Sequence, residues 1–87
     1  MLAMLLVATE YLKFDDKTKI EDIIDLIKKD YVWKTIWVNI KWKDIVFHAE
    51  KNLDWFDYTL ISEKDNLVLK TFSEELLILI LKKITES

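Results

Sequence analysis

The sequence predicts a small α+β protein: an antiparallel β-sheet of three to five strands with two α-helices, in the order β-α-β-β-β-(β)-α. Three observations carry this expectation. Residues 19–29 repeat apolar side chains at helical spacing, residues 31–61 change to a period of two, and residues 73–84 open on acids and close on lysines around an apolar run. Eighty-seven residues are read as one domain, 1–87, and a 52% hydrophobic composition places the chain among compact proteins rather than disordered ones.

Taken in order, LAMLLVA (2–8) is an unbroken apolar run whose length suits a strand buried on both faces, with a short helix as the alternative. A polar stretch follows. In TKIEDIIDLIKKD, Ile20, Ile23, Ile24 and Ile27 form one stripe, and Thr18 and Glu21 have the spacing of a capping box. Asp22 and Asp25 come early and Lys28 and Lys29 late, which complements the helix dipole. From 31 to 42 the even positions, Val32, Lys34, Ile36, Val38, Ile40 and Trp42, make a largely aliphatic face. In the next run, DIVFHAE, the parity inverts, with Ile45, Phe47 and Ala49 facing the core. A hairpin that sets Val38 opposite Phe47, Ile40 opposite Ile45 and Ile36 opposite Ala49 keeps aliphatics together. It leaves a four-residue turn at Lys41–Asp44; a two-residue turn at Trp42–Lys43 would demand positive φ from both.

WFDYTLI (55–61) follows a turn at KNLD, where Asn52 is suited to the left-handed conformation. Phe56, Tyr58 and Leu60 then face the core, and Trp55, Asp57 and Thr59 the other side. LVLKTF (67–72) reads as a further strand of open register, because Leu67 and Leu69 share the parity of the outer residues. The last element, a helix over 73–84, has a second capping-box spacing at Thr71 and Glu74; its LLILIL core (76–81) is short and β-branched enough to leave a strand as the alternative.

The absences exclude much chemistry. The chain has no Gly, Pro, Cys or Arg, where average usage predicts about six Gly and about four Pro. Without Gly there is no phosphate-binding loop, dinucleotide turn or nucleophile elbow; without Cys there is no disulfide, zinc knuckle or thiol nucleophile. One His cannot make a two-histidine metal site, and no cofactor or metal is expected. MLAMLLVATE lacks a basic start and a small-residue cleavage site, and LLILIL is far short of a membrane span, so a soluble, cytoplasmic (intracellular) protein with no membrane partner is the expectation. Thirteen lysines against sixteen acids give a net charge of −3, which argues against nucleic acid as the partner. The Lys-, Ile- and Asp-rich usage fits an accessory gene of the phage or mobile-element type.

What remains is the face opposite the aliphatic core. The expected registers align Trp37, His48 and Asp57 in one row and Thr35, Glu50 and Trp55 in the next, with Trp33 beyond. His48 beside Asp57 is an acid–base pair of the kind a hydrolase uses, but a flat sheet offers neither oxyanion donors nor a nucleophile. The indoles fit a recognition surface better: stacking platforms for bases flanked by Lys34, Lys41 and Lys43, or anchors for a protein partner. Glu50, Asp54 and Asp57 make a negative patch, which can occupy a basic site on a target. The last helix, the first segment or a second copy of the chain can also cover this face, making it a second core layer or a homodimer interface.

Residues 18–86, read as helix, strands and helix, resemble in part the α-β-β-β-α order of the double-stranded RNA-binding domain. That family grips phosphate with a lysine-rich start to its last helix; here the stretch is the acidic TFSEELL, so RNA binding is not carried over. The expectation is a non-enzymatic module, a small regulator or inhibitor that binds a protein partner and forms a homodimer. Its candidate surface is Trp33, Trp37, Trp55, His48, Glu50 and Asp57.

Overall fold

The computed structural model describes residues 10–86. They form β1 (Glu10–Phe14), α1 (Ile20–Asp30), β2 (Thr35–Ile40), β3 (Lys43–Lys51), β4 (Phe56–Ser62), β5 (Leu67–Thr71) and α2 (Glu74–Glu86). The sheet order is β1-β2-β3-β4-β5. It is an α+β fold whose sheet is mostly, not wholly, antiparallel: β1 runs parallel to β2 through the α1 crossover, and each later strand is antiparallel to its neighbour. The run expected as a first strand, 2–8, lies outside the described residues. The strand seen is EYLKF, within the stretch read as polar. As an edge strand it places only Leu12 and Phe14 against the core and shows Tyr11 and Lys13 outward.

One face of the sheet is aliphatic and carries both helices. Ile36, Val38, Ile40, Ile45, Phe47, Ala49, Tyr58 and Leu60 pack against Ile20, Ile23, Ile24 and Ile27 of α1 and Leu77 and Leu81 of α2. Each fully buried aliphatic is worth about 1.5–3 kcal/mol over leaving it in water. Phe47 meets Tyr58 edge-on at 6.2 Å, and Phe56 stacks on Tyr58 at the same separation. The helices lie antiparallel, tied at both ends by Lys28–Glu74 (2.7 Å) and Lys82–Glu21 (3.2 Å). LLILIL is therefore helix: the acid at its start meets the lysine at the end of α1.

Neither capping box forms. Thr18 instead donates its hydroxyl to Asp15 Oδ1, which also accepts the backbone N–H groups of Lys17 and Thr18, and Lys19 caps α1 without a side-chain bond. Ser73 caps α2, its Oγ accepting from Leu76 N–H at 3.2 Å, while Thr71 Oγ1 accepts from Ser73 N–H. That frees Glu74 to face inward, where Oε2 takes hydrogen bonds from Lys28 Nζ and Tyr58 OH. The Lys28 bond, seconded by Tyr58, holds the Glu74 carboxyl below its ordinary value, and burial drives the Tyr58 phenol well above its own.

The register is where expectation and structure part. Val38 pairs with Ile45 and Ile36 with Phe47, two positions from the expected pairing, because β2 and β3 join through the two-residue turn Lys41–Trp42. Both residues take positive φ, 50° and 70°, as a type I′ turn requires, in a chain with no glycine to place there. Trp42, expected on the core face, is thus lifted out and is 77% exposed, with Lys13 Nζ 5.1 Å from its ring centre. β4 also shifts by two, pairing Leu60 with Phe47. Between β4 and β5 it is Asn66, not Asn52, that takes a left-handed conformation. Pairing Leu60 with Leu69 then turns Leu67 and Leu69 inward, since each hairpin with an odd residue sum exchanges the parity of the core face.

Candidate functional site

A two-residue slip leaves every side chain on its expected face and changes all its neighbours. Trp37 lies not beside His48 but in an apolar row, Tyr11–Trp37–Val46–Ile61–Val68, that crosses all five strands. The middle of the row is packed, with Val46 only 1% exposed, so Trp37 belongs to a second apolar layer. The last helix does not cover this face; it packs on the other. The next row is Thr35–His48–Thr59–Lys70.

The expected His48–Asp57 pair is absent. The imidazole Nε2 instead meets Glu50 Oε2, two residues on along the same strand, at 2.9 Å, and Nδ1 meets the Thr35 hydroxyl at 2.9 Å. A carboxylate only accepts, so Nε2 carries the proton; Nδ1 of a neutral ring then accepts from Thr35 O–H. Hydroxyl, imidazole and carboxylate stand in the order of an acyl-transfer triad. Yet Thr35 is buried within a strand whose backbone amides are engaged in the ladder, which leaves no oxyanion donors beside its hydroxyl. The two contacts fix the orientation of the His48 ring.

Glu50 and Asp57 are direct cross-strand partners. Asp57 accepts from Trp55 Nε1 at 3.1 Å and from Asn52 Nδ2. Asn52 N–H also closes the β3–β4 turn onto Trp55 O, holding Trp55 beside the acid. Trp33 adjoins Glu50 from the β2 side. It is not part of the strand: Lys34 N–H bonds Tyr31 O, Trp33 has φ 70°, and its N–H donates to Ala49 O at 2.7 Å. On the β5 side, Phe72 follows the strand. Together with His48, Glu50, Asp57, Thr59 and Lys70 it lines an open groove of about 530 Å³. Trp33, Trp55 and Phe72 are 63%, 48% and 72% exposed, and Leu53 stands free in the intervening turn.

Of the six residues expected together, Glu50, Asp57, Trp33 and Trp55 thus share one end of the sheet and His48 braces Glu50, whereas Trp37 stands apart. Phe72 and Lys70 were not foreseen as site residues. The signal for Phe72 was a lone aromatic between a strand and a Ser N-cap, where a core role is already filled by Leu69 and Leu77. At the opposite end of the same face, Asp44 takes hydrogen bonds from Asn39 (2.7 Å) and Tyr11 (2.8 Å), the Asn39 bond chiefly lowering its carboxyl's affinity for a proton. The lysines that a nucleic-acid surface would need are elsewhere: Lys34 pairs with Glu10, and Lys43 lies on the helix side, bound to Asp65 and to Ile84 O. Among the described residues no three His, Asp or Glu side chains converge as a metal site, and no helix is long and apolar enough to cross a membrane. Comparison of the chain with protein-family models, curated proteins and solved structures finds no match, so function rests on this chain's own residues.

Proposed function

We propose that the chain is a non-catalytic interaction module that docks a protein partner on the end of the sheet bounded by Trp33, Trp55 and Phe72. The observation that carries this is the gathering of three exposed aromatics at one end of the sheet, where Phe72 lines an open groove beside Glu50 and Asp57. Exposed Trp next to hydrogen-bonding groups is the composition of interface anchors. Trp33 adds weight, because a left-handed backbone costs an aromatic residue of order 1–3 kcal/mol that glycine would not incur. Small size and the missing catalytic parts suit a regulator or inhibitor of accessory type. The test is a pull-down from host lysate with the wild type, Trp55→Ser and His48→Asn. A partner lost with Trp55→Ser and kept with His48→Asn supports the reading; a partner kept equally by all three places recognition elsewhere.

A homodimer is a second reading with its own observation. Leu76 and Leu79 stand three residues apart on the exposed side of α2, a stripe that a second copy would cover. Light scattering over a concentration series, with Leu79→Lys as control, decides it: a dimer dispersed by the lysine supports the stripe, and a monomer throughout rejects it.

A further inference from the structure

The groove pairs two features that are each unfavourable in isolation. Glu50 and Asp57 face one another across β3 and β4, where directly opposed like charges destabilise a sheet. The donors that reach them come from His48, Trp55 and Asn52, and no lysine answers either one: the lysine ion pairs of the described residues join Lys28, Lys34, Lys43 and Lys82 to other acids, and Glu50 pairs with His48 alone. Lys70 lines the same groove but stands one row away, opposite Thr59, and makes no ion pair. Glu50 Oε1 accepts no hydrogen bond from a described residue, so the pair retains acceptor capacity. Asp44 on the same face differs in what stands opposite it: its cross-strand partner is Asn39, a hydrogen-bond donor, and no second acid faces it.

The second feature is the aromatic border. Trp55 is bonded to Asp57, Phe72 lines the groove on the β5 side, and Trp33 stands at the same end of the sheet, its N–H on Ala49 O, all three exposed. Exposed aromatic residues and two facing carboxylates without a lysine counter-charge are jointly what a cation on an apolar stem requires: the charge meets the acids while the methylenes and the rings meet each other. An apolar occupant would bury Glu50 and Asp57 unpaired, and an acidic one would add a third negative charge to the same spot. The net charge of −3 draws a basic surface toward the chain as a whole.

Resting on the docking reading above, we propose that the partner presents an arginine or lysine side chain, flanked by apolar residues, which inserts between Trp55 and Phe72 and bridges Glu50 and Asp57. Arginine suits the pair best, since its planar fork reaches both carboxylates at once and stacks on a ring.

The test uses the intact chain as bait for a random peptide library displayed on phage, in parallel with the isosteric double variant Glu50→Gln/Asp57→Asn and with Trp33→Ala/Trp55→Ala. Near-UV circular dichroism confirms that each bait is folded. The expected result is enrichment on the wild type of peptides carrying one basic residue between apolar ones. Synthesised, they should bind the Gln/Asn variant at least tenfold more weakly and lose affinity when their basic residue is replaced by glutamine. Peptides that need the tryptophans but carry no basic residue, or that bind the Gln/Asn variant as well as the wild type, would overturn the cation while leaving the aromatic docking surface in place. Peptides indifferent to both variants, or no enrichment at all, would overturn the two together.

Discussion

The two faces of the sheet are built from the same alternating strands and solve different problems. The inner face is a row of branched aliphatics that two helices seal, and the polar groups it takes in are hydrogen-bonded: Tyr58 OH to Glu74, Ser62 to Asp65 and Lys43 to Asp65 and Ile84 O. The outer face packs an apolar row through its middle, ties down Asp44 at one end with Asn39 and Tyr11, and leaves Glu50 and Asp57 at the other end among exposed rings. The difference teaches where to look for function. The inner face is sealed, whereas one end of the outer face keeps two opposed carboxylates that no lysine neutralises.

Substitution should separate the faces sharply. Phe47→Ala opens a cavity under both helices and should cost about 3–5 kcal/mol in urea unfolding, whereas Trp55→Ala should stay within about 0.5 kcal/mol. Equal losses would mean that Trp55 is as structural as Phe47 and would break the distinction.

Next in size is the Tyr58–Glu74 insertion of the inner face. Tyr58→Phe leaves one acceptor of Glu74 with Lys28 alone and should cost about 1–2 kcal/mol. The same site carries a pH dependence. The folded Glu74 carboxyl titrates below its ordinary value of 4.5, so its contribution is present above that pH and fades as the pH falls through the folded value. The drop in urea midpoint on going from neutral pH to below 4.5 should therefore be smaller in Glu74→Gln than in the wild type.

Smaller still are the left-handed positions. Trp42→Gly and Trp33→Gly should each raise stability by roughly 0.5–1 kcal/mol, the relief of an αL backbone being offset in part by glycine's own entropy and, at Trp42, by the lost contact with Lys13. The pair sharpens the comparison, because only Trp33→Gly should weaken partner binding. Loss of binding in both would extend the surface to the Lys41–Trp42 end. The smallest effect belongs to Glu50→Gln, which removes the repulsion with Asp57 and should raise the melting temperature by the equivalent of a few tenths of a kcal/mol. A fall instead would mean that His48 needs the charge of Glu50 more than the sheet suffers from it.

Much of the fold could be read from single elements. The stripe Ile20–Ile23–Ile24–Ile27 placed α1 to within a residue, and the parity of β2, β3 and β4 separated their core faces from their outer ones. β1 escaped notice because five residues with two inward apolar side chains leave too short an alternation beside the stronger apolar run before it. Both capping boxes had the right letters at the right spacing, but Asp15 reached Thr18 first and Ser73 was better placed than Thr71. For the candidate site, sequence pattern drew the wrong pairs: His48 with Asp57 rather than with Glu50, and Trp37 beside His48 rather than opposite Val46.

The physical reason is the period of the strand. Alternation is a local property, so the chain by itself determined which side chains face the helices and which face away. A slip of two residues preserves that division, and nothing in the alternation resists it. The choice between registers fell to the backbone of Lys41 and Trp42, which accept positive φ so that Ile36 can meet Phe47 beneath both helices. Only that long-range packing made it worthwhile for a glycine-free chain to turn there. The same two-residue freedom between β3 and β4, closed by Asn52 N–H on Trp55 O, set Glu50 opposite Asp57.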